Sequence, residues 1–289
     1  MSFEVKLNII AEKINDSIPS THDLFELGLT DEIINLAKEQ AREGGKYIDV
    51  NIGMRDPKLM EELVYAIQSA VSIPLSIDTP SFEIAERALK AYDPQKAKGE
   101  KPILNSIGSQ RLQMFDLLGI QPFKVILMSN ERYLDGRHIM NRNAEEVVES
   151  AHRMFAIAKK HNIPNDDIIF DPSIAPIATD HQGFTKMTVE GIRLIGREKN
   201  LQGCHMSVGL SNFTVMLPGK TRSGAPVKLP LENAFLKLAI PNGLDYIVGN
   251  TRKKYELLSE EDPAMQIMNE VIAHDDMTVL NLVRKFYNT

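Results

Sequence analysis

The sequence predicts a (β/α)₈ barrel, the TIM-barrel fold, in which eight parallel strands alternate with helices. Short apolar runs rich in β-branched residues recur along the chain, and longer segments of helical period separate them. Several runs are almost wholly apolar, which is typical of parallel strands buried on both faces. No linker rich in Pro, Gly or Ser divides the chain, so residues 1–289 are expected to form one domain. An open, doubly wound α/β sheet has the same alternation and is the alternative fold.

Eight segments are the predicted strands. They are Leu7–Ala11, Tyr47–Asn51, Leu75–Asp78, Ile103–Asn105, Lys124–Met128, Ile168–Asp171, Cys204–Gly209 and Tyr246–Val248. Helical segments lie between them: Asp56 and Pro57 suit an N-cap and a first turn, and Asn143–Lys160 has helical period. Two connections are unusually long, Ser129–Asn141 after the fifth strand and Ser211–Leu229 after the seventh. Both follow the carboxyl ends of strands, where barrel enzymes build their sites.

Composition narrows the classes of function. The formal net charge of −6 and the absence of a basic block argue against a nucleic-acid partner. No apolar run approaches the roughly 18–20 residues of a membrane span, so no membrane association is expected. Cys204 is the only cysteine and cannot form an internal disulfide, which fits a reducing compartment. We therefore expect a cytoplasmic enzyme.

Polar residues stand at the ends of six of the eight predicted strands. The set taken as candidate site residues is Glu12, Asp49, Asp78, Asn105, Asp171, Ser211 and Asn212, with Gly209 beside the last two. Asn15 and Asn51 stand at the same ends of the first two strands and are expected to face the same mouth. A single Asp or Asn after a strand is commonly a turn former or the cap of the next helix. In a barrel, however, the carboxyl ends of all strands meet at one mouth. The repetition therefore favours a binding site over a series of unrelated turns.

The residue types in this set indicate the kind of ligand. Carboxylates accept paired N–H groups, and carboxamides both donate and accept, so the set suits the amino-pyrimidinone edge of a pterin or a purine. The set lacks a lysine for a Schiff base, an activated nucleophile and a histidine pair at metal spacing, so no metal site is predicted. The segment after the eighth strand also lacks the paired glycines that a sugar-phosphate site would favour.

Six motifs in order carry a resemblance to a known family. IIAEKIN, YIDVNIG, PLSIDTP, PILNSIG, FDPSIAP and VGLSN, spanning about residues 8–250, resemble the motifs of pterin-binding barrels of the dihydropteroate synthase-like fold. They look most like the methyltetrahydrofolate–corrinoid methyltransferases. That group includes the enzyme that serves the corrinoid iron–sulfur protein, and the second methyltransferases of O-demethylase and glycine betaine demethylase systems.

The resemblance implies roles for individual residues. Asp78, Asn105 and Asp171 match the residues that hydrogen-bond the pterin, and Asn212 matches the asparagine beside the pterin N5. Gly209 and Ser211 match the lining of the same pocket. Glu12 and Asp49 join the predicted pterin site from their strand-end positions. Val215 departs from the pattern, because corrinoid iron–sulfur members tend to have a glutamine there.

The implied reaction moves a methyl group between N5 of tetrahydrofolate and the cobalt of a corrinoid (a cobalamin) carried by a partner protein. The direction stays open, Asn212 is the expected catalytic donor, and a homodimer is expected from the relatives. The characteristic motifs of dihydropteroate synthase are replaced by Asn15-Asp16-Ser17, Ser211-Asn212-Phe213 and Asn250-Thr251-Arg252, so synthase chemistry has no support. The alternatives are a pterin-binding protein without corrinoid chemistry, a folate-binding module without turnover, or a purine enzyme.

Overall fold

The computed structural model describes residues 7–288 and shows eight parallel strands wrapped into a barrel. The strands in this sheet are β1 (Asn8–Asn15), β2 (Tyr47–Asn51), β3 (Leu75–Asp78), β4 (Ile103–Ile107), β5 (Lys124–Met128), β8 (Ile168–Asp171), β9 (His205–Met206) and β10 (Tyr246–Gly249). Their order is β10-β1-β2-β3-β4-β5-β8-β9. A parallel bridge joins Gly209 to Val248, and Val248 N donates to Val208 O at 3.0 Å, so β9 and β10 close the ring. The predicted barrel is confirmed and the open sheet is wrong.

Ten α-helices occur among the described residues, most of them on the outside of the barrel. They are α1 (Pro19–Glu26), α2 (Thr30–Arg42), α3 (Pro57–Ala70), α4 (Phe82–Ala91), α5 (Ala144–Lys160), α6 (Phe184–Arg197), α7 (Leu210–Thr214), α8 (Lys228–Ala239), α9 (Pro263–Val271) and α10 (Thr278–Tyr287). Asp56 caps α3 by accepting a hydrogen bond from Lys58 N at 2.9 Å, as predicted. Between residues 7 and 288, no helix has the length and apolar content needed to cross a membrane.

The barrel interior has an apolar floor and a polar layer above it. Ile10, Tyr47, Ile103, Ile126, Ile169 and Tyr246 form the floor and are at most 5% exposed. Because side chains alternate along a strand, the residue two positions later also points inward. This spacing relates the following pairs: Ile10 and Glu12, Tyr47 and Asp49, Ile103 and Asn105, Ile169 and Asp171. The strand period therefore places the predicted site residues directly above a packed hydrophobic layer.

The long connection after β5 is a β-hairpin rather than a loop. β6 (Glu131–Leu134) pairs antiparallel with β7 (Arg137–Met140). Its turn residues, Asp135 and Gly136, have φ values of 49° and 77°, as a two-residue hairpin turn of type I′ requires. At the base, Asn141 Nδ2 donates to Ser129 O and to Ser150 Oγ, both at 2.9 Å. The other long connection, Ser211–Leu229, contains most of α7 and the start of α8.

Candidate active site

A cavity of about 540 Å³ opens at the mouth of the barrel, above the apolar floor. Seven of the eight predicted site residues line it: Glu12, Asp78, Asn105, Asp171, Gly209, Ser211 and Asn212. Met128 at the end of β5 and Val248 on β10 add apolar surface to the same wall. The structure thus brings together residues that lie nearly two hundred positions apart in the chain, while their individual roles toward a ligand stay predictions.

Asp171 ends β8 and lines the cavity. Burial raises the pKa of its carboxyl group to about 7, against the opposing effects of the Ser173 amide and the nearby Ser207 hydroxyl. The Ser173 amide donates to Asp171 Oδ1 at 2.6 Å. Near neutral pH the carboxyl group therefore exists in both protonation states, and it can donate a hydrogen bond as well as accept one.

Asp78 ends β3 and is contacted by Asn51 and Asp49 of β2. Its Oδ2 accepts a hydrogen bond from Asn51 Nδ2 at 2.8 Å. Burial raises the pKa of Asp78, and the hydrogen bonds from Asn51 and Asp49 and the positive charge of Arg111 oppose that rise. Asn51 and Arg111 were not among the predicted site residues. Asn51 lies in the YIDVNIG motif, whereas Arg111 has no strand-end position that would have pointed to it.

Asp49 is the predicted pterin contact that does not line the cavity. It has no exposed surface, and its Oδ1 lies 3.5 Å from Asn105 Nδ2. The reason is strand register: Asp49 pairs with Ser76, two residues before Asp78, so it stands one inward layer deeper. Burial raises the pKa of Asp49 well above its usual range, and the charge of Asp78 adds to the rise. The structure corrects its assignment from the cavity wall to the layer beneath it.

Glu12 and Ser211 connect β1 to α7 at the edge of the cavity. Ser211 Oγ donates to Glu12 Oε1 at 2.5 Å. Burial raises the pKa of Glu12, and the Ser211 hydrogen bond and the charge of Lys253 oppose the rise. This bond fixes the first turn of α7 against the barrel wall, next to the position of Asn212.

The far end of α7 is fixed by a buried ion pair. Thr214 Oγ1 donates to Glu232 Oε1 at 2.5 Å, and Lys253 Nζ lies 2.7 Å from both carboxylate oxygens of Glu232. Glu232 is fully buried on α8, whose sequence gave no reason to expect this role. The short helix that carries Asn212 is therefore held at both ends, which limits the positions open to its side chain.

Asn212 presents an unpaired amide to the cavity. Within residues 7–288, its carboxamide has no hydrogen-bond partner, and its side chain is exposed. A Cβ atom at Gly209 would lie 2.8 Å from Asn212 Nδ2. Because that separation is shorter than a van der Waals contact, a glycine is needed at position 209 for the amide to occupy this place. Val215 follows on the same wall and contributes apolar surface.

Further cavity-lining residues lie at the end of β1, within β4 and in the segments that follow β1 and β8. They are Asn15, Ser17, Ile18, Pro19, Ser106, Ser173 and Ile174. Asn15 Oδ1 accepts hydrogen bonds from Ser17 N at 2.9 Å and from Ser17 Oγ at 2.6 Å, which shapes the turn into α1. Most of these residues carry no pattern that separates them from ordinary turn residues, so sequence alone did not single them out.

The family profile for pterin binding enzymes matches residues 15–249. The chain belongs to the pterin-binding enzyme family. A methylcorrinoid:tetrahydrofolate methyltransferase of Eubacterium limosum is 32% identical over 250 residues, which cover 83% of each chain. The predicted membership of this family is thereby confirmed.

Solved structures agree on the fold of this pterin-binding enzyme. Dihydropteroate synthase of Xanthomonas albilineans, with 4-aminobenzoic acid, superposes with a TM-score of 0.54 at 17% identity, over 84% of this chain and 86% of that one. The Yersinia pestis dihydropteroate synthase gives 0.55 at 13% identity, over 93% and 94%. At such identities the likeness concerns the barrel alone, and it confirms the predicted dihydropteroate synthase-like fold.

Proposed function

We propose that this protein transfers a methyl group between N5 of tetrahydrofolate and the cobalt of a corrinoid held by a partner protein. The observation that carries the proposal is the unpaired Asn212 amide in a cavity that also contains Asp78, Asn105 and Asp171. The similarity to an enzyme named methylcorrinoid:tetrahydrofolate methyltransferase supports the same reaction and favours transfer toward tetrahydrofolate. On this proposal the whole chain, residues 1–289, acts as one pterin-binding methyltransferase domain.

Three strand-end residues bind the pterin in this scheme. Asp78 and Asp171 accept hydrogen bonds from N–H groups of the heterocycle, and Asn105 adds a carboxamide that can accept and donate. Their partial burial favours ligand binding, because a carboxylate can accept more hydrogen bonds than Asn51 supplies to Asp78 or the Ser173 amide to Asp171. An unfilled acceptor site costs free energy that a ligand N–H group recovers. Glu12, Ser211 and Gly209 shape the wall beside N5.

Asn212 acts on the reacting nitrogen. When the methyl group moves to tetrahydrofolate, N5 attacks the methyl carbon, the methyl–cobalt bond breaks and its electron pair stays on the cobalt. The proton on N5 then leaves to solvent at the mouth. In the reverse direction, N5 is a poor leaving group unless a proton or a hydrogen bond reduces its electron density. The Asn212 amide can supply that bond without titrating, and the cavity supplies position.

The corrinoid and its carrier are substrates that must reach the mouth from outside. Exposed apolar side chains surround it on the segments that follow β4, β5 and β9. They are Leu112, Tyr133, Leu134, Met140, Val215 and Met216. We infer that the carrier protein covers part of this surface, with the β6–β7 hairpin as one contact. An undiminished rate with the natural carrier after replacing Tyr133 and Leu134 by serine would exclude that contact.

The direct test is a single-turnover absorbance experiment under anaerobic conditions. The protein is mixed with methylcob(III)alamin and tetrahydrofolate, and separately with Co(I) cobalamin and methyltetrahydrofolate. Conversion between the methyl–cobalt and Co(I) spectra is expected, and the faster mixture gives the preferred direction. Tetrahydrofolate binding with no conversion, even with the natural corrinoid protein, would favour the second candidate, a pterin-binding protein without corrinoid chemistry.

Cell location and assembly complete the proposal. We propose a cytoplasmic homodimer that is active in anaerobic one-carbon metabolism or demethylation; the single cysteine supports a reducing compartment, and the rest follows from the resemblance in sequence. Equilibrium sedimentation at the mass of a monomer, at micromolar concentration and above, would contradict the dimer. Neither a nucleic-acid nor a membrane partner is part of the scheme.

A further inference from the structure

Asp49 is a fully buried acid without a neighbouring cation. It lies on β2 in the barrel interior and has no exposed surface. Among residues 7–288, no Lys, Arg or His side chain forms an ion pair with it. Its neighbours are Ser76 and Asp78 on β3 and Asn105 on β4. An ionised carboxylate in such a place would be strongly destabilised, since neither water nor an opposite charge offsets its burial.

The two oxygens of Asp49 have different surroundings. Oδ1 faces the Asn105 amide at 3.5 Å, whereas Oδ2 accepts no hydrogen bond from residues 7–288. The nearby Ser76 hydroxyl opposes the rise in the pKa of Asp49 without reversing it. The carboxyl group that Asp49 meets is that of Asp78. Two carboxylates form a hydrogen bond only when one of them is protonated. Two buried carboxyl groups in contact also cannot both ionise readily, so the pair holds one proton.

The surroundings assign that proton to Asp49. Asp78 receives a hydrogen bond from Asn51 Nδ2 at 2.8 Å and lies within the field of Arg111, and both stabilise a negative charge. Within the described part of the chain, Asp49 has no cation beside it, and the Ser76 hydroxyl and the Asn105 amide at 3.5 Å only partly oppose the rise in its pKa. The charge of Asp78 on β3 raises the pKa of Asp49, and the charge of Arg111, which follows β4, lowers the pKa of Asp78. Both effects favour a neutral Asp49 beside an ionised Asp78.

We propose that Asp49 is a positioning residue: it is a neutral carboxylic acid that determines, through Asp78 and Asn105, which hydrogen-bonding groups the cavity wall offers to a ligand. Its hydroxyl donates to Asp78, which stays ionised, and its carbonyl oxygen accepts from Asn105 Nδ2. The Asn105 oxygen is then free to face the cavity beside the Asp78 carboxylate. Two neighbouring acceptors select a ligand edge with adjacent N–H groups. The inference rests on the proposed pterin site and deepens it.

Two substitutions of similar volume separate this role from simple packing. Asp49→Asn keeps one donor for Asp78 and one acceptor for Asn105, as the neutral acid does. Asp49→Leu fills the space and offers neither. We expect the tetrahydrofolate dissociation constant of Asp49→Asn to stay within about threefold of the parent, and that of Asp49→Leu to rise about tenfold or more. Thermal unfolding of each variant shows whether it is folded. A folded Asp49→Asn that binds as weakly as Asp49→Leu would overturn the proposal.

An infrared measurement tests the proton itself and requires no ligand. The difference spectrum of the parent protein minus Asp49→Asn at about pH 7 should contain the C=O stretch of a protonated carboxylic acid, identified by its shift in protein labelled with ¹³C-aspartate. A carboxylate band at that pH in its place would overturn the proposal. Because this readout is independent of pterin and of methyl transfer, a failure of the proposed function would not be mistaken for a failure of this inference.

Discussion

Acidic residues lie at both ends of the barrel, but among residues 7–288 the strand-end acids of the mouth form no ion pair, whereas those at the amino end do. At the amino end, Lys124 Nζ lies 2.8 Å from Asp166 and 3.3 Å from Asp167, and His205 lies between Asp166 and Asp245. Lys124 lowers the pKa of Asp166, and Asp245 raises the pKa of His205. Each of these acids is therefore paired with a basic side chain of the same chain.

At the mouth, by contrast, burial has the largest effect on the pKa values of the acids, and Lys253 and Arg111 act on Glu12 and Asp78 without forming an ion pair with them. The pKa values of Glu12, Asp49, Asp78 and Asp171 are all raised, with burial as the largest cause. Groups that the chain itself leaves uncompensated are typical of sites that await a ligand. We infer from this contrast that the amino-end cluster contributes to stability and that the mouth contributes to ligand binding.

Removing a mouth acid should affect binding far more than folding. Asp78→Ala should weaken tetrahydrofolate binding about 100-fold, because hydrogen bonds to a charged, buried acceptor are lost. Fluorescence titration gives the dissociation constant, and thermal unfolding checks the fold. Asp166→Ala at the amino end is the matched control and should bind normally. An equal loss of tetrahydrofolate affinity in Asp78→Ala and Asp166→Ala would contradict the proposal that only the mouth binds the ligand.

Removing an amino-end cation should have the opposite profile. Lys124→Met should lower the free energy of unfolding by about 2 kcal/mol, since Asp167 is buried and keeps only Lys101 as a partner. Tetrahydrofolate affinity should not change. Urea denaturation measures the free energy of unfolding, and the same fluorescence titration measures the affinity. Lys90→Met, on the exposed face of α4, is the control. A loss of affinity in a folded Lys124→Met would show that the two ends are coupled.

Gly209→Ala tests whether the position of the Asn212 amide matters. The added methyl group would lie within 2.8 Å of Asn212 Nδ2 and force the amide away. We expect a single-turnover rate about tenfold lower, with little change in pterin affinity. This loss is smaller than the loss expected from removing the Asn212 amide, because the displaced amide can still donate. Gly219→Ala is the matched control, since no atom lies within 4 Å of its added carbon. Identical rates for the two variants would contradict the prediction.

The pH dependence of stability should differ in kind between the two ends. Because the pKa of Asp171 is raised to about 7, its ionisation makes the folded state less stable as pH rises from about 4 to about 7. Asp171→Asn should therefore gain melting temperature relative to the parent between about pH 5 and about pH 8. The pKa of Asp166 is lowered, so its contribution is lost only as pH falls through that lowered value. Over the same range, the melting temperature of Asp166→Asn relative to the parent should change only through His205, whose pKa Asp166 helps to raise, and not through the titration of Asp166 itself.

The strands were predictable because their apolar runs are continuous, but their depth in the barrel was not. β2, β3, β5 and β8 have the predicted bounds, whereas β1 extends to Asn15 and β9 is reduced to His205–Met206. Asp49 was placed at the mouth because register between strands is not visible in one strand's sequence. The β6–β7 hairpin was missed because its alternation is short and its side chains are largely exposed. Seven of the predicted residues line one cavity because strand ends converge whenever a barrel closes.

The central claim is that the strand-end residues bind pterin and that Asn212 on α7 acts on the transferred methyl group. The most direct test compares Asn212→Ala with the parent protein. It measures the tetrahydrofolate affinity and the single-turnover rate with methylcob(III)alamin, and Asn35→Ala, on the exposed face of α2, is the control. The account predicts a rate about 10²–10³-fold lower for Asn212→Ala with affinity within a few-fold of the parent. A parental rate in Asn212→Ala at saturating tetrahydrofolate would contradict it.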